Sequence, residues 1–124
     1  WMVDRAAELA LKWEGVVVVD EGGPIAYMAK DLRERGVQVA ALQPAEVAKQ
    51  CGRIYDDIAD RRVTFARRGP FWQAMEKAVA GLAQKAAGDR MVWSREASTA
   101  DICPFFAATL CWDPNAHPGA FFLR

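Results

Sequence analysis

The sequence predicts an α/β fold built on parallel strands, and three observations carry that expectation. Val16-Val17-Val18-Val19 is a continuous β-branched run between helical patterns, the signature of a strand buried on both faces of a sheet. A second apolar run, Val37 to Leu42, follows after a helix-length stretch. Strand, helix, strand in that order implies a right-handed crossover between parallel neighbours. The third observation is size: 124 residues, 52% of them apolar, suit one core and a single domain spanning residues 1–124.

The elements follow in order. Val3, Ala6, Ala7, Leu9, Ala10 and Trp13 sit at helical spacing, so a helix is expected from Met2 to Trp13. Asp20 closes the valine strand, and Glu21-Gly22-Gly23-Pro24 reads as a turn, with Pro24 suited to open the next helix. That helix runs from Ile25 to Arg35, with Ile25, Met28, Ala29 and Leu32 inward and Gly36 at its C-terminal cap. A helix from Ala45 to about Ala59 has Val47, Cys51, Ile54, Tyr55 and Ile58 on one face. Arg62 to Ala66 alternates and is expected to be a hairpin strand paired with Met91-Val92-Trp93. Between them a long helix is expected from Phe71 to Ala87, stopped by Gly88-Asp89. Ser98 would cap a last helix from about Thr99 to Trp112. Asp113 to Gly119 breaks any helix, and Phe121-Phe122-Leu123 is an apolar tail.

Composition excludes several classes. Sixteen basic residues balance sixteen acidic ones, so overall charge asks for no nucleic acid and any such role needs local patches or a bound metal. No apolar run approaches the ~20 residues of a membrane-spanning helix, so no membrane partner is expected. The first residues resemble neither a signal nor a transit peptide. Cys51, Cys103 and Cys111 form no CxxC pair, and with His117 as the sole histidine they make neither a structural zinc site nor a disulfide framework. Buried small hydrophobes in a reducing cytoplasm is the expectation for them; Cys103 and Cys111, eight residues apart, would share a helix face. Gly22-Gly23 lacks the Lys-Ser or Lys-Thr of a phosphate loop, and the chain has no Walker motif.

Asp20 is the first candidate for chemistry, because parallel α/β folds place sites at the carboxyl ends of their strands. A polar residue marking the strand's exit is the plain alternative, and adjacent Glu21 is the weaker candidate. Asp101 is the second, in the first turn expected of the last helix, where an acid three residues after Ser98 also fits a capping box. Arg61, Arg62, Arg67 and Arg68 bracket the expected hairpin strand and could straddle a phosphate backbone, or simply solvate the hairpin. Trp72 and Trp93 are expected to pack rather than stack on bases.

Four segments in order resemble the nuclease domain of phage terminase large subunits. Val18-Val19-Asp20-Glu21-Gly22-Gly23-Pro24 is similar to the family's Val-Val-Asp-x-x-Gly-Pro. The stretch from Ala48 to Asp57 resembles its Ala-x-Ala-Cys-Gly-x-Phe-Tyr-Asp helix, and Arg62-Val63-Thr64-Phe65 its Arg-Leu-x-His hairpin. Trp93-Ser94-Arg95 and Ser98-Thr99-Ala100-Asp101-Ile102-Cys103-Pro104 resemble the Trp-x-Arg and Ser-x-x-Asp-Ile-Ser-Pro stretches of terminases from actinobacterial phages, with Cys103 replacing a Ser. The likeness covers about residues 5 to 112.

The resemblance implies a ribonuclease-H-like fold with an acid cluster holding two Mg²⁺ or Mn²⁺ ions. Asp20 falls on the second acid and Asp101 on the acid of the final helix; both would be metal ligands at the catalytic centre. The family's first acid lies on an opening three-strand meander that these residues do not contain, so the expected fold is incomplete: parallel strands with flanking helices plus a small hairpin. This would be the C-terminal portion of the domain, leaving an uncovered edge at Val16–Val19. The implied activity is cutting of double-stranded viral DNA during genome packaging, in the cytoplasm of the bacterial host. The implied partners are the terminase motor domain, the small terminase subunit and the portal protein. The alternative is a non-catalytic module that binds DNA or a packaging partner.

Overall fold

The chain forms a mixed α/β structure in a computed structural model that describes residues 1–65 and 67–113. Its elements are α1 (Met2–Lys12), β1 (Val17–Asp20), α2 (Met28–Glu34), β2 (Val39–Leu42), α3 (Pro44–Ala59), α4 (Gly69–Ala80), β3 (Gln84–Ala87), β4 (Arg90–Trp93) and α5 (Cys103–Cys111). They gather into two compact units, Trp1–Val47 and the remainder from Ala48.

In the first unit β1 and β2 pair in parallel, from Val17 opposite Val39 to Asp20 opposite Leu42, as the strand–helix–strand pattern predicts. Ala7 and Ala10 of α1 meet Met28 and Leu32 of α2 and Val37, with Val3, Ala6, Val17 and Val39 packed around them. Gly36 follows α2 with φ 79°, the left-handed position that favours glycine. It donates its N–H to Arg33 O at 3.0 Å, and Val37 donates to Leu32 O at 3.1 Å. This is a Schellman closure, and the buried Leu32 and Val37 are its hydrophobic pair. A surface ion pair from Arg35 to Asp4 joins the end of α2 to α1.

Two expectations for this unit are corrected. α2 begins at Met28 rather than Ile25, because successive turns close over Gly23 to Met28 instead of a helical ladder: Ala26 N–H meets Gly23 O at 3.2 Å and Met28 N–H meets Ile25 O at 3.0 Å. The valine strand is not buried on both faces. Val19 is buried, but Val17 and Val18 are partly covered and Val16 is half exposed. A sheet of two strands offers too little cover for a fully apolar strand.

In the second unit α3 buries Ala48, Cys51 and Ile54, but the face continues through Asp57, which is 7% exposed. Tyr55 and Ile58, expected inside, are 51% and 42% exposed. The carboxylate is satisfied where it lies: Trp112 Nε1 donates to Asp57 Oδ2 at 2.7 Å, and the Arg62 guanidinium stands 3.8 Å from Oδ1. Gln50 Nε2 in turn donates to Trp112 O at 2.8 Å, so α3 holds the chain just past α5 at two points.

The hairpin is not where the sequence put it. Residues 62–65 form no strand, and Ala66 lies outside the described residues. β4 pairs instead with β3, antiparallel, from Gln84 opposite Trp93 to Ala87 opposite Arg90. Gly88, φ 65°, takes the first place of the two-residue turn, as a type II′ hairpin requires. The long helix therefore ends at Ala80. Three hydrogen bonds divert the chain there: Thr99 N–H to Gly81 O at 3.0 Å, Ala83 N–H to Ser98 Oγ at 3.0 Å and Ser94 N–H to Ala83 O at 2.8 Å. Ser98 is thus spent on Ala83 and does not cap a helix. The last helix starts at Cys103, with Pro104 in its opening turn.

Cys51 is fully buried as expected, whereas Cys103 and Cys111 are exposed; no disulfide joins any of the three. No helix among the described residues is long and apolar enough to cross a membrane. The expected break beyond Asp113, His117 and the Phe121–Leu123 tail lie outside the described residues.

Two glycines give a matched test. A Cβ at Gly81 would stand 2.6 Å from Ala100 Cβ and 2.9 Å from its backbone nitrogen, whereas one at Gly52 in mid-α3 meets nothing within 4 Å. Gly81→Ala is expected to destabilise by about 1–3 kcal/mol through overpacking. Gly52→Ala should be neutral or stabilise by about 0.5–1 kcal/mol, the helical cost of glycine. Urea denaturation of both variants checks the pair; equal effects would contradict the packing described.

Candidate functional site

Asp20 ends β1 at the carboxyl edge of the parallel pair. Its Oδ1 accepts the Gly22 N–H at 3.0 Å, and its backbone oxygen accepts the Gly23 N–H at 3.0 Å. A Cβ on Gly23 would come within 3.1 Å of Oδ2 and 3.2 Å of that backbone oxygen, so a side chain there would press on Asp20 as the chain folds over it. Glu21 accepts a hydrogen bond from the Gln43 side-chain amide. Gln43 N–H is held by Glu46 Oε2 at 2.8 Å, as at a capped helix start. The strand ends of the first unit thus carry three carboxylates, two of them tied to Gln43.

Asp101 belongs to the second unit and stands two residues before α5 rather than in its first turn. Its Oδ1 accepts the Cys103 N–H at 2.9 Å, satisfying one of the unpaired donors of the helix start. That backbone donor, with the Cys103 thiol, holds the Asp101 carboxyl below the usual carboxylate range. The same contact, together with partial burial, pushes the Cys103 thiol up. The Arg95 guanidinium, 4.7 Å over the Phe106 ring, opposes this weakly. Among the described residues no three His, Cys, Asp or Glu side chains gather as a metal centre would.

The four arginines line a loop and the start of α4. All are exposed. Arg61 has φ 58°. Arg62 is held by Asp57 at 3.8 Å and Asp60 at 3.9 Å, and Arg67 lies 5.5 Å over the Trp72 ring. Arg68 precedes α4 in extended backbone. The described residues of this segment, 61–65, 67 and 68, form no strand.

Sequence reasoning missed a different cationic site. Within the second unit, a groove of about 840 Å³ runs between α3 and the β3–β4 ribbon. Lys49 and Arg53 line it from the helix, and Lys85 and Arg90 from the ribbon. Lys49 and Arg53 carry a visible signal, since they share a helix face four residues apart. Their counterparts were hidden because Gln84–Ala87 was expected to be helix. In comparisons with protein-family models, curated proteins and solved structures, none matches this chain.

The Asp101–Cys103 contact makes a pH prediction. Asp101 has its carboxyl depressed in the fold, so the stability it adds is present above the unfolded value of about 3.9 and is lost as pH falls through the folded value. Asp101→Asn removes the negative partner of the thiol, so alkylation of Cys103 at pH 8 should speed up in that variant. Iodoacetamide labelling followed by peptide mass analysis checks it; an unchanged or slower rate would remove Asp101 as the cause.

Proposed function

We propose that this chain is part of a metal-dependent DNA endonuclease of the terminase large-subunit kind, with a ribonuclease-H-like nuclease fold acting on viral DNA in the bacterial host's cytoplasm. The observation that carries the reading is Asp20, closing a parallel strand with its carboxylate at the carboxyl edge, where α/β folds place their sites. Order of motifs along the chain adds Asp101 as its counterpart. Hard carboxylate oxygens fit Mg²⁺ or Mn²⁺. Asp20 spends Oδ1 on its own turn and keeps Oδ2 for a ligand, which suits a metal-holding role. When bound, two such ions would activate water and stabilise the leaving oxygen of a phosphodiester. Asp20 and Asp101 would hold ligands in place rather than move protons. The motor domain, the small terminase subunit and the portal protein would be its partners.

A second reading has its own observation. The cation-lined groove supports a module that holds DNA without cutting it, or binds a packaging partner. Mn²⁺ titrated into the ¹⁵N-labelled chain separates the two. The endonuclease reading expects paramagnetic broadening around both Asp20 and Asp101, reversed by EDTA and lost in Asp20→Asn and Asp101→Asn. Cutting of supercoiled plasmid by the chain with Mn²⁺ is expected to be weak or absent, since the resemblance places a further acid outside these residues. If Mn²⁺ leaves both regions sharp, the metal reading fails and the binding module stands.

A further inference from the structure

We propose that the groove between α3 and the β3–β4 ribbon binds a single-stranded DNA segment, with phosphates on Lys49, Arg53, Lys85 and Arg90 and a base against Tyr55. The proposal takes the identity of the polymer from the nucleic-acid reading above.

Charge comes first. The chain as a whole is neutral, sixteen cations against sixteen anions. The groove gathers four cations against Asp56 and Asp89, a local excess of two. Among the described residues none of those four cations is ion-paired, whereas Arg5, Lys30, Arg35 and Arg62 all are. Unpaired cations in one cleft and along its rim attract a polyanion, and the cleft's volume lies within the ~300–1,000 Å³ of ligand sites.

Shape favours a single strand. Lys49, Gly52, Arg53 and Asp56 lie on one stripe of α3 at i, i+3, i+4 and i+7. Across the groove, Ala86 and Met91 stand opposite one another in the ribbon, on the face that carries Trp93. Lys85 and Arg90 take the other face by strand alternation, so they border the groove at its rim. Tyr55 is 51% exposed, lines the same groove and rests against Trp93 at 6.5 Å between ring centroids. A basic track beside a braced, exposed aromatic is how proteins hold unpaired strands, phosphates on cations and bases on rings. A duplex hides its base faces and would leave Tyr55 unused.

Gly52 is the independent observation. It interrupts a 16-residue helix at a cost, yet apart from its chain neighbours and the helix's own backbone nothing lies within 4 Å of where its Cβ would stand. Packing therefore does not demand glycine there. Bare backbone on the groove wall does leave space for a ligand to approach closely.

The test is fluorescence anisotropy of labelled dT12, its duplex with dA12 and rU12, with the full chain in EDTA across a salt series. EDTA removes the metal reading from the experiment, so its failure and that of the groove are separable. We expect dT12 to bind more tightly than the duplex. Lys49→Ala/Arg53→Ala should flatten the log–log salt slope by about 1.4, at ~0.7 per phosphate contact on single strands. Tyr55→Ala should weaken dT12 about 5- to 100-fold and leave the duplex unchanged. Gly52→Leu should block dT12 while thermal unfolding stays at or above the parent's. The proposal is overturned by no dT12 binding at low salt, by binding that Gly52→Leu and the double variant leave intact, or by duplex and dT12 binding alike with Tyr55→Ala silent. Preference for rU12 over dT12 by tenfold overturns the assignment to DNA.

Discussion

The indole of Trp93 is where three elements of the second unit meet. It ends β4 and packs, tilted, against Phe105 of α5 at 5.5 Å and Tyr55 of α3 at 6.5 Å between ring centroids. Its Nε1 donates to Thr109 Oγ1 at 3.0 Å, and that hydroxyl donates to Phe105 O at 2.8 Å. A buried indole needs a partner for its N–H, and here the partner is a fully buried threonine on the helix it packs against. The β3–β4 ribbon is only two strands wide and β3 is exposed along its length. An isolated ribbon of that kind is marginal in water. Its position against α3 therefore rests on Trp93, and with it the groove that Tyr55, Lys85 and Arg90 border.

The first unit depends on backbone chemistry more than on bulk. Its core is mostly small side chains, with Leu32 and Met28 the largest. Precision comes from its turns. Gly36 closes α2 so that Val37 falls onto Leu32, and Gly22-Gly23 folds over Asp20 so that the strand stops with its carboxylate at the edge. Asp20 is thus a structural residue of its own turn whatever else it holds, which is why substitution there needs an amide rather than alanine.

What the sequence disclosed was local. The valine run, the Gly36 cap and the span of α3 are each specified by residues within a few positions, and each was found near where it was expected. The same holds for Asp20 at a strand end and Asp101 beside a helix start. What it hid was set by distant partners. Gln84-Lys85-Ala86-Ala87 has no apolar alternation and reads as helix; Gly81 and Ala83 bond to Ser94, Ser98 and Thr99 instead, and the four residues pair with β4. The hairpin was therefore sought at Arg62–Ala66, and a DNA contact with it. Lys85 was misplaced by that one error. Asp57 was hidden for a related reason, because its partner Trp112 lies 55 residues away.

That separation has a consequence for how the chain comes to be folded. Within Trp1–Val47 the ion pair of Asp4 with Arg35 spans 31 residues. The second unit is shut by Gln50 and Asp57 reaching Trp112, a loop of 62 residues in the first case. Doubling a loop raises its closure entropy by only about 0.6 kcal/mol, so the equilibrium scarcely notices. Synthesis does. At ~5–20 residues per second, roughly 3–13 s pass between the emergence of Ala48 and that of Trp112. Through that interval Ile54 and Met75, both buried in the finished second unit, travel on a nascent chain that has not yet completed α5.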